Sequence, residues 1–273
     1  MKKIVLIACA VFGIVTLPMW GRADTFTINN FPDGADTYWG GMVAYPDPAY
    51  PGSWPSASDA LGGHAYEVDT MTVNRENGLF SVQLAGPFFA STVAEVIGDL
   101  FLCSYGWNPY STGPSDPHYA TDNRDSPGAE IWNYVLHIDT MVSPTDGITG
   151  GTIGLYQTSD GVIKYTEDFH QASYYREGQE VRYEPGVNQT SPLAVGEWAL
   201  DPNAGLLTFT LDTSSLDAAF LADLYGSDIG LHWTMACGND VIEGSSNVPE
   251  PATMLLFATG LSGLALYRRR AKK

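Results

Sequence analysis

Positive charge is what this 273-residue chain has least of. It holds 13 Lys and Arg against 31 Asp and Glu, a formal net charge of -18. Most of the cations sit at the two ends: Lys2, Lys3 and Arg22 at the start, and Arg268, Arg269, Arg270, Lys272 and Lys273 at the finish. Residues 24–248 keep five (Arg75, Arg124, Lys164, Arg176, Arg182) against 30 of the 31 acids, a net charge of -25. A body so acidic repels nucleic acid and anionic membrane surfaces, which excludes both as partners for it, and it attracts divalent cations.

Other shortages narrow the function further. There is no Gly-x-Ser-x-Gly, no His-Glu-x-x-His and no Cys-His-Asn set, so the usual nucleophile and zinc-hydrolase signatures are missing. No EF-hand or RTX spacing and no internal repeat is present. The histidines (His64, His118, His137, His170, His232) are scattered. His137 and His232 fall in β-type runs, where a hydrogen-bonded structural role is the simpler reading. Cysteine is scarce too. Of three, Cys9 lies in the first apolar run, leaving Cys103 and Cys237. Export would permit a disulfide between them, closing a long loop and contributing roughly 4–5 kcal/mol; two buried thiols is the alternative.

Both ends carry addresses. Lys2 and Lys3, the apolar residues 4–17 and the small residues around Gly21-Arg22-Ala23 make a secretory signal peptide, with cleavage expected between Ala23 and Asp24 by signal peptidase. At the other end Pro249-Glu250-Pro251 precedes an apolar run from Ala252 to Tyr267, and the basic cluster stops it. As a helix that run is about 24 Å long, short of a ~30 Å hydrocarbon core. Snorkelling arginines and local thinning of the bilayer would let it span, and Gly260 and Gly263 weaken it as a permanent anchor. A transient single-pass transmembrane helix with its basic end cytoplasmic is the expectation.

Those three features in that order resemble the PEP-CTERM sorting signal of exported bacterial proteins. The resemblance covers about the last tenth of the chain. It implies recognition and cleavage near Pro249, Glu250 and Pro251 by a membrane-embedded exosortase, with Arg268, Arg269 and Arg270 as the stop cluster. It also implies a Gram-negative host that makes exopolysaccharide, and delivery to the cell surface or extracellular matrix.

Between the ends the pattern is β. Alternating apolar residues run over 66–73 and 79–84 with Asn74-Arg75-Glu76-Asn77-Gly78 between them, a hairpin signal. Further strands are expected at 99–104, 131–139, 151–158, 161–165, 180–184, 196–201, 206–211 and 230–236, and short helices at 91–97 and 214–224. The Pro- and aromatic-rich residues 45–55 read as an ordered loop, and 244–247 as a flexible linker. Many short strands with Gly/Pro turns predict an all-β, antiparallel β-sandwich of jelly-roll or lectin-like type with one or two short helices. The division is then a signal peptide at 1–23, a sandwich domain at 24–245 and the sorting signal at 246–273.

A second resemblance rests on Gly98-Asp99-Leu100, Gly106-Trp107-Asn108-Pro109 and Cys237-Gly238-Asn239-Asp240. These are similar to a group of exosortase-dependent surface proteins built on sandwich domains. The stretch Cys103-Ser104-Tyr105 departs from that group's pattern, and no biochemical activity comes with the likeness.

Two ligand chemistries fit the residues present. Calcium needs six to eight oxygens, for which Glu67, Asp69, Asp99, Asp122, Asp125, Glu130 and Asp240 are candidates, with Glu67 and Asp69 expected on one face of a strand. A solvated acidic surface is the alternative. Trp54, Trp107, Tyr110 and Trp132 are candidates to stack on sugar rings, against a reading as core and loop anchors. Catalytic carboxylate pairs among Glu67, Glu130 and Glu197 carry little weight, because 30 acids create such pairs by chance. The reading is an exported surface or matrix protein, non-catalytic and associated with exopolysaccharide. The alternative is a carbohydrate-binding module or glycan-active enzyme, calcium-dependent or not.

Overall fold

Ten strands form one antiparallel sheet that rolls until its two edges face each other. The computed structural model describes residues 24–30, 60, 63–76, 78–107, 131–170, 176, 178–187, 189, 191–226 and 228–246. The strands are β1 (Asp24–Asn29), β2 (Thr70–Glu76), β3 (Leu79–Ala85), β4 (Leu100–Cys103), β5 (Tyr134–Ile138), β6 (Gly150–Gln157), β7 (Val162–Tyr165), β8 (Glu180–Glu184), β9 (Ala194–Asp201), β10 (Leu206–Asp212), β11 (Ile229–Thr234) and β12 (Val241–Ser246). The large sheet runs β1-β2-β3-β10-β9-β6-β5-β4-β11-β12, and β7-β8 form a separate two-stranded ribbon. Short helices α1 (Pro87–Ala90), α2 (Thr166–Phe169) and α3 (Ala218–Gly226) fill the connections. The antiparallel all-β expectation is met. The two-sheet jelly-roll is replaced by a single rolled sheet with a ribbon laid on it.

Side-chain alternation explains the layers. In β2, β3, β9 and β10 every second residue is buried, so one face looks into the roll and the other into solvent. β4 and β11 are buried at every position, and β5 at all but its first. Their inner side chains (Leu100, Leu102, Leu136, Ile138, Leu231, Trp233) join the main core, where Phe88 and Phe89 of α1 pack on the Trp233 ring. Their outer side chains (Phe101, Cys103, Val135) form a second cluster with Trp132, Tyr156 and Tyr183, the last contributed by β8. The ribbon therefore covers the outer face of this half of the sheet.

Three sequence expectations change. The 74–78 turn is tighter than expected, because β2 runs on to Glu76 and the chain reverses at Gly78, whose φ of 84° favours glycine. Residues 91–97 are not helical; the helix there is α1, four residues upstream, starting at Pro87. The expected linker at 244–247 is strand up to Ser246, paired with Ile229 to Leu231 of β11. Gly244 belongs there because it lies flat against the Ile28 side chain of β1, where a Cβ would stand 2.9 Å from three Ile28 carbons. This contact, not a main-chain ladder, lines the seam between β1 and β12.

Strict alternation of direction fixes the two ends of the roll. At one end β12 stops, β1 starts, and α3 plugs the opening with Phe220 and Leu224. There Arg75 Nη1 donates to the Leu224 carbonyl at 2.9 Å, a cation placed on the C-terminal turn of α3. We call this the exit end.

Candidate functional site

The outer face under the ribbon carries a layer of buried polar groups, built from three parts. At the start of β4, Asp99 is fully buried. Its Oδ1 accepts from the Ile138 N–H at 2.9 Å, and its Oδ2 accepts from the Tyr183 N–H and from His137 Nδ1, both at 2.7 Å. One carboxylate thus fastens β5 and the ribbon to β4.

In the middle, His232 and Glu243 face each other as register partners across β11 and β12. Nδ1 lies 2.5 Å from Glu243 Oε1, and Nε2 lies 2.8 Å from the Glu180 carbonyl. A carbonyl only accepts, so Nε2 carries a proton and the ring ties β8 to the sheet. Trp107 Nε1 donates to Glu243 Oε2 at 2.9 Å, and the Trp132 ring sits 5.4 Å from the imidazole. At the far end, Arg176 is buried and its Nη1 donates to the carbonyls of Gly238 and Asn239.

Each of the four described histidines contacts a carboxylate: His64 with Glu67, His137 with Asp99, His170 with Glu95, and His232 with Glu243. The structural reading of His137 and His232 fits this geometry. Through these contacts the His137–Asp99 pair joins β5 to β4, and His232 joins β11 to β12 and to β8.

Among the described residues the expected calcium ligands Glu67, Asp69, Asp99 and Asp240 do not form one cluster. Asp99 is engaged as above. Asp240 accepts from Val68 N–H at 2.6 Å, from its neighbour Val241 N–H at 2.9 Å and from Asn30 Nδ2 at 2.9 Å, latching the β1 side of the seam to β12. Glu67 and Asp69 precede β2 instead of sharing a strand face, because the chain makes a 3-10 turn at His64–Tyr66 and enters β2 only at Thr70. They remain neighbours: burial, and then the Glu67 charge, raise the Asp69 carboxyl above its ordinary range, with His64 opposing. Among the described residues no group of three or more His, Cys, Asp or Glu is arranged to hold a metal ion. Asp122, Asp125 and Glu130 lie outside the described residues.

Of the expected sugar-stacking residues, Trp132 is 4 % exposed and belongs to the second core, so it offers no face to a ligand. Trp107 is half-buried and held by Glu243. Trp54 and Tyr110 lie outside the described residues. The disulfide is not formed. Register places Cys103 opposite Gly230, seven residues before Cys237 along the same run, well beyond the ~7 Å Cα separation a bridge tolerates. Alternation also points Cys103 to the second core and Cys237 to the first. Burial pushes the Cys237 thiol well above its ordinary range, with the Glu95 charge adding to the effect.

Sequence reasoning missed the polar layer. One signal was available: His232 and Glu243 lie six residues before and five residues after Gly238, which has φ 58° and sits in the turn between two strands. The second resemblance touched its edges at Gly98-Asp99 and Trp107. Gly98 is needed there because a Cβ would meet the Thr234 carbonyl at 2.0 Å and the Val181 carbonyl at 3.0 Å.

The architecture is thus a rolled β domain whose fastening groups lie buried beneath the ribbon and whose last described strand ends at Ser246. The chain beyond it is identifiable. Residues 247–270 match the PEP-CTERM protein-sorting motif, and the chain carries this sorting signal. The motif supports exosortase-dependent sorting to the cell envelope or surface and implies processing by an exosortase. No curated protein and no solved structure matches the chain. Among the described residues no helix is long and apolar enough to cross a membrane; the tail, with Pro249 to Pro251 and Arg268 to Arg270, lies outside them.

Proposed function

We propose that this is an exported, non-catalytic cell-surface or extracellular-matrix protein of a Gram-negative bacterium, associated with exopolysaccharide. Signal peptidase cuts between Ala23 and Asp24. The tail holds the protein briefly in the inner membrane, and an exosortase then cleaves near Pro249-Glu250-Pro251. The observation that carries this reading is the sorting motif at 247–270. The absence of catalysis is supported by the polar layer, whose carboxylates are bonded to main-chain donors and histidines within the fold.

The test is intact-mass analysis of the protein recovered from the surface and medium of its host. The expected product starts at Asp24 and lacks Arg268 to Lys273. A surface form that retains the basic cluster overturns the processing step.

A further inference from the structure

We propose that the exit end of the rolled sheet is a docking face for a zwitterionic lipid surface, on which the domain rests while the tail is in the membrane. The proposal builds on the reading that the tail inserts.

Chain geometry supplies the first argument. Asn30 Nδ2 bonds the Val241 carbonyl and Ile28 lies on Gly244, so β1 and β12 run antiparallel along the seam. The start of β1 and the end of β12 therefore emerge side by side. Only residues 247–251 separate Ser246 from the apolar run that starts at Ala252. Fully extended, that link reaches about 20 Å. A bilayer holding the tail must then lie within that distance of the exit end, and the signal-peptide junction at Asp24 opens onto the same surface.

The second argument is independent of the tail. Nine large hydrophobic side chains are exposed among the described residues, and all but Met141 and Ile148 belong to the exit end. Leu79 starts β3, Val162 starts β7, and Leu193 and Val195 flank the start of β9. Val187 lies on the connection into β9. Tyr105, 82 % exposed, follows β4, and Ile131, 73 % exposed, precedes β5. Strand direction places five of them at this end, because β4 ends and β3, β5 and β9 begin here, and Val162 follows the end of β6 while Val187 follows Glu184, the register partner of Val162. Apolar side chains with an exposed tyrosine are the composition that settles at a headgroup boundary. Exposed Glu76, Asp160, Asp212 and Asp228 at the same end oppose an anionic leaflet, which makes the surface zwitterionic.

The experiment uses the full chain with its tail, reconstituted in vesicles of phosphatidylethanolamine and phosphatidylcholine containing a headgroup-nitroxide lipid. Tyr105→Cys, Ile131→Cys, Met141→Cys and Ile148→Cys each receive an environment-sensitive fluorophore; native Cys103 and Cys237 are buried. The expected result is quenching several-fold stronger at 105 and 131 than at 141 and 148, weakened when phosphatidylglycerol is added. Co-flotation with equal quenching at all four sites overturns the docking face and leaves tail insertion standing. Failure to float with the vesicles overturns both. Quenching strengthened by phosphatidylglycerol overturns the choice of lipid.

Discussion

Asp99 holds His137 across the β4–β5 junction through a 2.7 Å bond between Oδ2 and Nδ1, and the same Oδ2 accepts the Tyr183 N–H of the ribbon. One fully buried carboxylate therefore serves two main-chain donors and an imidazole. Asp99→Ala strands those donors without water. Each orphaned buried donor costs about 1–3 kcal/mol, so a loss of roughly 3–5 kcal/mol is expected from urea unfolding. Asp99→Asn keeps an acceptor and should lose less. Equal stability of Asp99→Ala and the parent would remove Asp99 from its fastening role.

Gly98 tests the same junction through space instead of charge. The methyl of Gly98→Ala would press on two carbonyls of main chain, those of Thr234 and Val181, which cannot swing away as a side chain can. Prising β8 from β4 also weakens the Asp99 N–H bond to the Val181 carbonyl at 2.8 Å. The expected loss is about 1–3 kcal/mol. Hydrogen exchange should quicken at Val181 and Tyr183 before it quickens in β9 or β10.

Where alternation is the whole story, the sequence was readable. Leu207, Phe209 and Leu211 in β10, or Met71 and Val73 in β2, declare a half-buried strand by period two alone. The end of β12 was not readable, because Gly244 is small for a tertiary reason: the seam has room only for a glycine beside Ile28. The surroundings of the acids were hidden for a related cause. Asp99 and Asp240 look like surface acids in sequence, yet both are buried and bound to donors from distant segments. The five cations of the body carry the same lesson, since Arg75, Arg176 and Arg182 are internal braces and add little to its surface charge. The sorting tail was legible because its order of features is local.

The thiols give a third outcome. With Cys103 opposite Gly230 and Cys237 seven residues further on, oxidising conditions should leave both reduced, and intact mass should report two thiols. Cys237, its thiol pushed up by burial, should resist alkylation in the folded protein at pH 8 and react on unfolding. Addition of a reductant should leave Tm unchanged. A Tm that falls with reductant would show a bridge and a different register for β11.

Alkaline pH offers the last test. Burial pushes the Tyr183 phenol up to about 12, and the Asp160 and Tyr156 groups add to this. Burial likewise raises Tyr66, Tyr134, Tyr156 and Tyr225 above 10. Below pH 10 folded and unfolded chains both keep these protons, and stability is unaffected. Above pH 10 the unfolded chain releases them while the folded chain retains them, so the unfolded state gains and stability falls as pH rises towards 12. Absorbance at 295 nm should then show a late-ionising fraction that appears together with loss of β-sheet circular dichroism. Tyr183→Phe removes one such group, so its stability should fall less steeply over the same interval, although it also loses the bonds from the hydroxyl to Gln157 and Gln189. If all fifteen tyrosines ionise near pH 10 with the fold intact, the packing of Tyr183 between the ribbon and the sheet is wrong.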